Sequence, residues 1–106
     1  MTDEIIAEKL TYKEFHETLN SDFEVILPSE VRIPLKLSGM SERKTSAIQE
    51  TFSLTLHGSS NIFLPQAAYN FNHPKIGGFE MFIVPVGRDL DGFIYEAVFN
   101  RLIKNQ

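Results

Sequence analysis

At 106 residues, with 42% hydrophobic and 23% charged positions, the chain has the size and composition of one globular domain rather than a disordered polypeptide. A formal net charge of −4, with ten Lys and Arg scattered among fourteen Asp and Glu, argues against phosphate contacts, so no nucleic-acid partner is expected. Lack of cysteine removes disulfides, thiolate metal sites and thiol nucleophiles, and no apolar run approaches the roughly 18 residues of a membrane span.

The chain starts Met1-Thr2-Asp3-Glu4, acidic where a signal peptide is basic, and the expected location is the cytoplasm. Residues 1–9 are weakly patterned and expected to fray. A short helix is expected over residues 10–19. Thr11 is an N-cap with Glu14 three places on, a capping box, and Leu10 and Phe15 occupy the positions of a hydrophobic staple.

Residues 22–102 are expected to form a β domain. Phe23, Val25 and Leu27 begin an alternation of period two, which Val31, Ile33, Leu35 and Leu37 continue as one buried face. Pro34 has no N–H to donate, so this strand is expected at an edge or at a bulge. Residues 39–47 are polar and read as a mobile loop. Phe52, Leu54 and Leu56 mark a further half-buried strand, residues 58–65 are irregular, and residues 66–73 form a weak strand. The last third reads as one long hairpin, FEMFIVPV and FIYEAVFNRL, turning through residues 87–92. Its first strand is apolar on both faces, Phe79, Met81 and Ile83 against Phe82, Val84 and Val86. Both faces are therefore expected to be covered, with the N-terminal helix as the cover. The expected fold is mainly β, a small antiparallel barrel or sandwich of about six strands with one short N-terminal helix.

No coherent catalytic set emerges. His16, His57 and His73 have no recognised ligand spacing, so no metal or cofactor is expected. Ser59 and Ser60 beside His57 lack a nucleophile elbow, and Asp89 and Asp91 fit a hairpin turn better than a calcium loop. Glu96 stands between the apolar Ile94 and Val98 and is expected to be partly buried and to pair with an arginine, Arg32 or Arg101 being the candidates, or with a backbone N–H. Residues 58–78 hold no acidic side chain and interleave aromatics with amides, a composition suited to an adaptable contact surface or to plugging the barrel. Tyr69, Asn70, Phe71, Asn72 and His73 are the candidate partner- or ligand-binding residues.

FSLTLHG (52–58), LPQAAYNFNHPKIG (64–77), FEMFIVPVG (79–87) and YEAVFN (95–100) together resemble a family of small bacterial domains of unknown function. The chain departs from that pattern at His57, at Ala67 and at Asn20-Ser21, the last two replacing glycine. The resemblance implies a binding or assembly role beside phage-tail-like or tail-collar-type proteins. The expected function is a non-enzymatic protein–protein interaction or assembly domain. The alternative is a small-ligand or metal-binding barrel whose mouth holds His57, His73, Tyr69 and Glu80.

Overall fold

The computed structural model describes residues 10–102; the fraying expected over residues 1–9 lies outside them. Helix α1 (Tyr12–His16) begins where the capping box puts it. The Thr11 hydroxyl accepts the Glu14 N–H at 3.1 Å, and the Glu14 carboxylate accepts the Thr11 N–H at 2.8 Å. Leu10 and Phe15 are both buried, as a staple requires. The helix is shorter than residues 10–19 because the chain turns after His16 and leaves through Asn20 at φ 66°. Asparagine tolerates that left-handed backbone better than other residues with a side chain, which makes it a fitting stand-in for glycine.

Seven strands follow: β1 (Asp22–Ile26), β2 (Arg32–Met40), β3 (Lys44–Thr45), β4 (Gln49–Gly58), β5 (Ala67–His73), β6 (Gly77–Asp89) and β7 (Gly92–Leu102). They form one antiparallel sheet in the order β2-β1-β5-β6-β7-β4-β3, and β2 also pairs with β4. Six strands therefore close into a barrel, and β3 is an addition on the edge of β4. The architecture is two three-stranded meanders, β1-β2-β4 and β5-β6-β7, joined by residues 59–66. Each pairs its first strand with the other's first and its last with the other's last. The β4–β7 seam runs for ten residue pairs, from Gln49↔Leu102 to Gly58↔Phe93, whereas the β1–β5 seam has three.

Residues 39–47 are not the loop their polarity suggests. Strand β2 bulges between Leu37 and Gly39 and continues to Met40; Lys44 and Thr45 then pair with Thr51 and Glu50. β2 and β3 are thus one interrupted strand beside β4, turning back through residues 46–48. Its side chains are polar on both sides there, so the backbone ladder alone makes it a strand. Val31 also departs from expectation: it is 49% exposed, because it ends the β1–β2 turn that Glu30 makes at φ 69°. Pro34 pairs with Glu24 on one side, and pairing with β4 begins only at Lys36, so β2 is an edge over its first residues alone.

The interior is filled by side chains. Phe23, Leu35, Leu37, Phe52, Leu54, Leu56, Phe71, Ile83 and Tyr95 each retain about 1% exposure or less. The Tyr95 hydroxyl is not stranded there, since it accepts the Leu64 N–H at 3.0 Å. β6 and β7 pair from Asp89↔Gly92 up to Val84↔Glu96 and then part. Beyond that point Gly77–Ile83 pairs with β5, and Ala97–Leu102 with β4. Phe15 of α1 reaches both sides of this splayed end, with ring centroids 6.1 Å from Phe79 and 5.4 Å from Phe99. The helix therefore plugs the barrel opening and does not cover the outer wall. Phe82 and Val86, expected to be covered, are 52% and 55% exposed.

Candidate functional site

The five sequence-predicted residues lie on β5, but the strand's alternation sends them to opposite sides. Phe71 and His73 are buried, and Asn70 and Asn72 turn outward. Tyr69 is half-buried, its hydroxyl donating to the Pro65 carbonyl at 2.6 Å. Desolvation, with the nearby Tyr95, pushes the Tyr69 phenol pKa up. The mouth residues of the ligand-barrel alternative divide similarly: His73 and Tyr69 belong to the inner face, whereas His57 and Glu80 follow the outward alternation of β4 and β6.

His73 is held on both ring nitrogens. Its Nδ1 accepts the Lys75 N–H at 3.0 Å, which puts the proton on Nε2, 2.8 Å from the Ser21 hydroxyl. Ser21 in turn donates to the Thr18 carbonyl at 2.5 Å, and the imidazole packs 4.5 Å from the Phe23 ring. Burial, then the charge of Lys75, pushes its pKa below the ordinary 6.5. As pH falls below about 6.5 the unfolded chain takes up this proton before the folded one does. His73 therefore costs no stability above that pH and progressively more as pH falls through the folded-state value. Thermal midpoints measured between about pH 7.5 and 5 should decline in the wild type and decline less steeply in His73→Gln. Equal slopes would remove His73 as the cause.

His57 Nε2 lies 3.1 Å from the Asp89 carboxylate, a pairing across 32 residues that no spacing rule anticipates. The His57 hydrogen bond, with the Asp91 and Gly92 N–H groups, holds the Asp89 carboxyl below the usual range. His57 borders a groove of about 420 Å³ lined also by Asp22, Pro34, Lys36, Ser38, Ser59 and Asp91. The Ser59 hydroxyl accepts the Asn61 N–H at 2.9 Å and is thereby engaged in the turn. Among the described residues no three His, Cys, Asp or Glu side chains converge as metal ligands. Glu96 pairs with neither expected arginine: Arg32 holds Glu24 at 2.9 Å and Arg101 holds Glu50 at 3.3 Å.

The outward faces of β6 and β7 carry exposed apolar side chains. Val84 and Glu96 are cross-strand partners, and Phe82 and Val98 stand two residues further along β6 and β7 on the same side. Phe82 also faces the exposed Ala68 on β5. Val98 is 64% exposed, and among the described residues no element covers Phe82 or Val98 on this outer face.

Residues 10–99 match the family described as a domain of unknown function, DUF6916. The chain belongs to this family. No curated protein and no solved structure matches it. The match covers the whole of this DUF6916 domain's barrel except the last residues of β7, together with α1. No helix among the described residues is long and apolar enough to cross a membrane.

Proposed function

We propose that this domain is a non-enzymatic protein–protein interaction or assembly module whose contact surface is the outer wall of β6 and β7. The observation that carries the reading is the uncovered patch of Phe82, Val84 and Val98 on a barrel whose interior is already full. Large apolar side chains at the centre of a patch, with polar ones such as Glu96 and Ser53 around them, match the layout of a contact surface. A bacterial setting, implied by the resemblance, and a cytoplasmic one, consistent with the lack of cysteine, belong to the same proposal.

The test compares wild type with Phe82→Glu and Val98→Glu in affinity capture from the native host, read by quantitative mass spectrometry. Both side chains are exposed, so thermal unfolding should change by about 1 kcal/mol or less. A stoichiometric protein retained by the wild type and lost from both variants is the expected result. Retention of the same protein by both variants would move the contact elsewhere.

A further inference from the structure

The shortest join in the barrel is also tied by a titratable side chain. β1 and β5 share three residue pairs, Glu24↔Asn72, Val25↔Phe71 and Ile26↔Asn70. Each is held more extensively on its other side, β1 by five pairs with β2 and β5 by seven with β6. Asn20 and Ser21 lengthen the hold on β2: the Asn20 N–H donates to the Leu37 carbonyl at 2.7 Å, and the Leu37 N–H donates to the Ser21 carbonyl at 3.0 Å. Parting β1 from β5 therefore gives up three residue pairs and leaves every other strand pairing in place.

His73 stands one residue past Asn72 and extends that seam by side chain. Only 5% exposed, it reaches from the end of β5 to Ser21 and Phe23 on the far side. Its surroundings accept one protonation state. The Lys75 N–H donates to Nδ1, so that nitrogen carries no proton; the Ser21 hydroxyl spends its own proton on the Thr18 carbonyl, so its oxygen accepts the proton of Nε2. A second proton on the ring would set an N–H at Nδ1 against the N–H of Lys75, within the turn that the Ile76 N–H closes on the His73 carbonyl at 3.2 Å. Burial disfavours the imidazolium first, and the charge of Lys75 adds repulsion. Asp22 and Glu24 of β1 and Glu80 of β6 follow the outward alternation of their strands, and His16 and Glu17 at the end of α1 are exposed. Among the described residues, Lys75 is thus the one charge that bears on the ring.

We propose that His73 is an acid-released latch on the β1–β5 seam: neutral, it holds the barrel closed, and protonated, it lets β1 part from β5 while the two meanders stay joined along β4–β7. The ring leaves a site that tolerates only its neutral form, frees Ser21 and Phe23, and uncovers the facing edges of β1 and β5 to new pairing. This device is independent of the outer-wall contact. In the open form the ring titrates near its ordinary 6.5, above its closed-form value, so acid favours opening. One proton taken up on opening raises the opening equilibrium by up to roughly tenfold between pH 7.5 and 5.5.

Amide hydrogen exchange on the full chain, followed by NMR over that range and corrected for the intrinsic pH dependence of exchange, tests the latch. The amides bonded across the seam in residues 24–26 and 70–72 should exchange through an opening of lower free energy than those of the β4–β7 seam. That opening should rise several-fold with acid. His73→Gln should abolish the rise, and Ser21→Ala, which removes the Nε2 partner, should raise seam opening at pH 7.5 by about tenfold. Should the Gln variant fail to fold, the wild type decides alone: the rise must level off at the pH where the His73 ring resonances titrate. A rise that continues past that pH would assign it to another group. Seam amides that exchange only with global unfolding, an opening indifferent to pH, the same rise in His73→Gln, or unchanged seam opening in Ser21→Ala would each overturn the latch.

Discussion

Replacing Phe15 with alanine is expected to remove about 4 kcal/mol of folding stability, a large share of what a domain of this size has. The side chain is fully buried, and its ring meets Phe52, Phe79 and Phe99, each from a different strand. Phe15 bridges β6 and β7 beyond the point where their pairing stops at Val84↔Glu96, so truncation leaves a cavity where these two strands cannot close by pairing. Urea unfolding followed by circular dichroism reads the loss directly, and Phe15→Leu should retain most of the stability. A cost near 1 kcal/mol for the alanine variant would mean that α1 is an accessory to a barrel that closes without it.

Gly92→Ala should be at least as damaging, for a reason of backbone and not of packing. Gly92 has φ 147°, and a Cβ there would collide with the Gly58 carbonyl oxygen. Gly58 and Phe93 are paired at the end of the β4–β7 seam, so relief requires the hairpin turn to move away from β4. A loss of about 3 kcal/mol or more is expected. Gly77→Ala is the informative control, because φ is also positive (91°) but nothing lies within 4 Å of its Cβ. That variant should lose about 1 kcal/mol, the cost of backbone strain alone. Similar losses in the two would refute the steric account of Gly92.

Much of this fold is written locally. The capping box at Thr11 and Glu14, the inward alternation of Ile33, Leu35 and Leu37, and the turn after Asp89 are all short-range signals, and each appears in the structure. The hairpin turn is tighter than residues 87–92, since β6 runs through Asp89 and β7 starts at Gly92. Periodicity failed where it is silent about surroundings. An apolar outward side chain such as Phe82 reads the same whether another element covers it or solvent does, and Lys44-Thr45 gives no apolar signal at all. The candidate sites were the least legible. Composition groups residues 69–73 together, whereas the pleat separates Phe71 and His73 from Asn70 and Asn72. The Arg43, Glu50 and Arg101 cluster is built from pairings 7 and 51 residues apart, which no spacing rule connects.

The two seams of the barrel have an unequal kinetic meaning. Five of the pairings are hairpins or their continuations, in which the partners are near in sequence and find one another at small loop-closure cost. Only β4–β7 and β1–β5 join one meander to the other, and the first is more than three times as long as the second. Zipping the long seam first would carry the two ends of the short one together, so that Glu24, Val25 and Ile26 meet β5 late. The same three residue pairs are then the natural place for the closed ring to breathe, opening the barrel into a curved sheet without separating its halves.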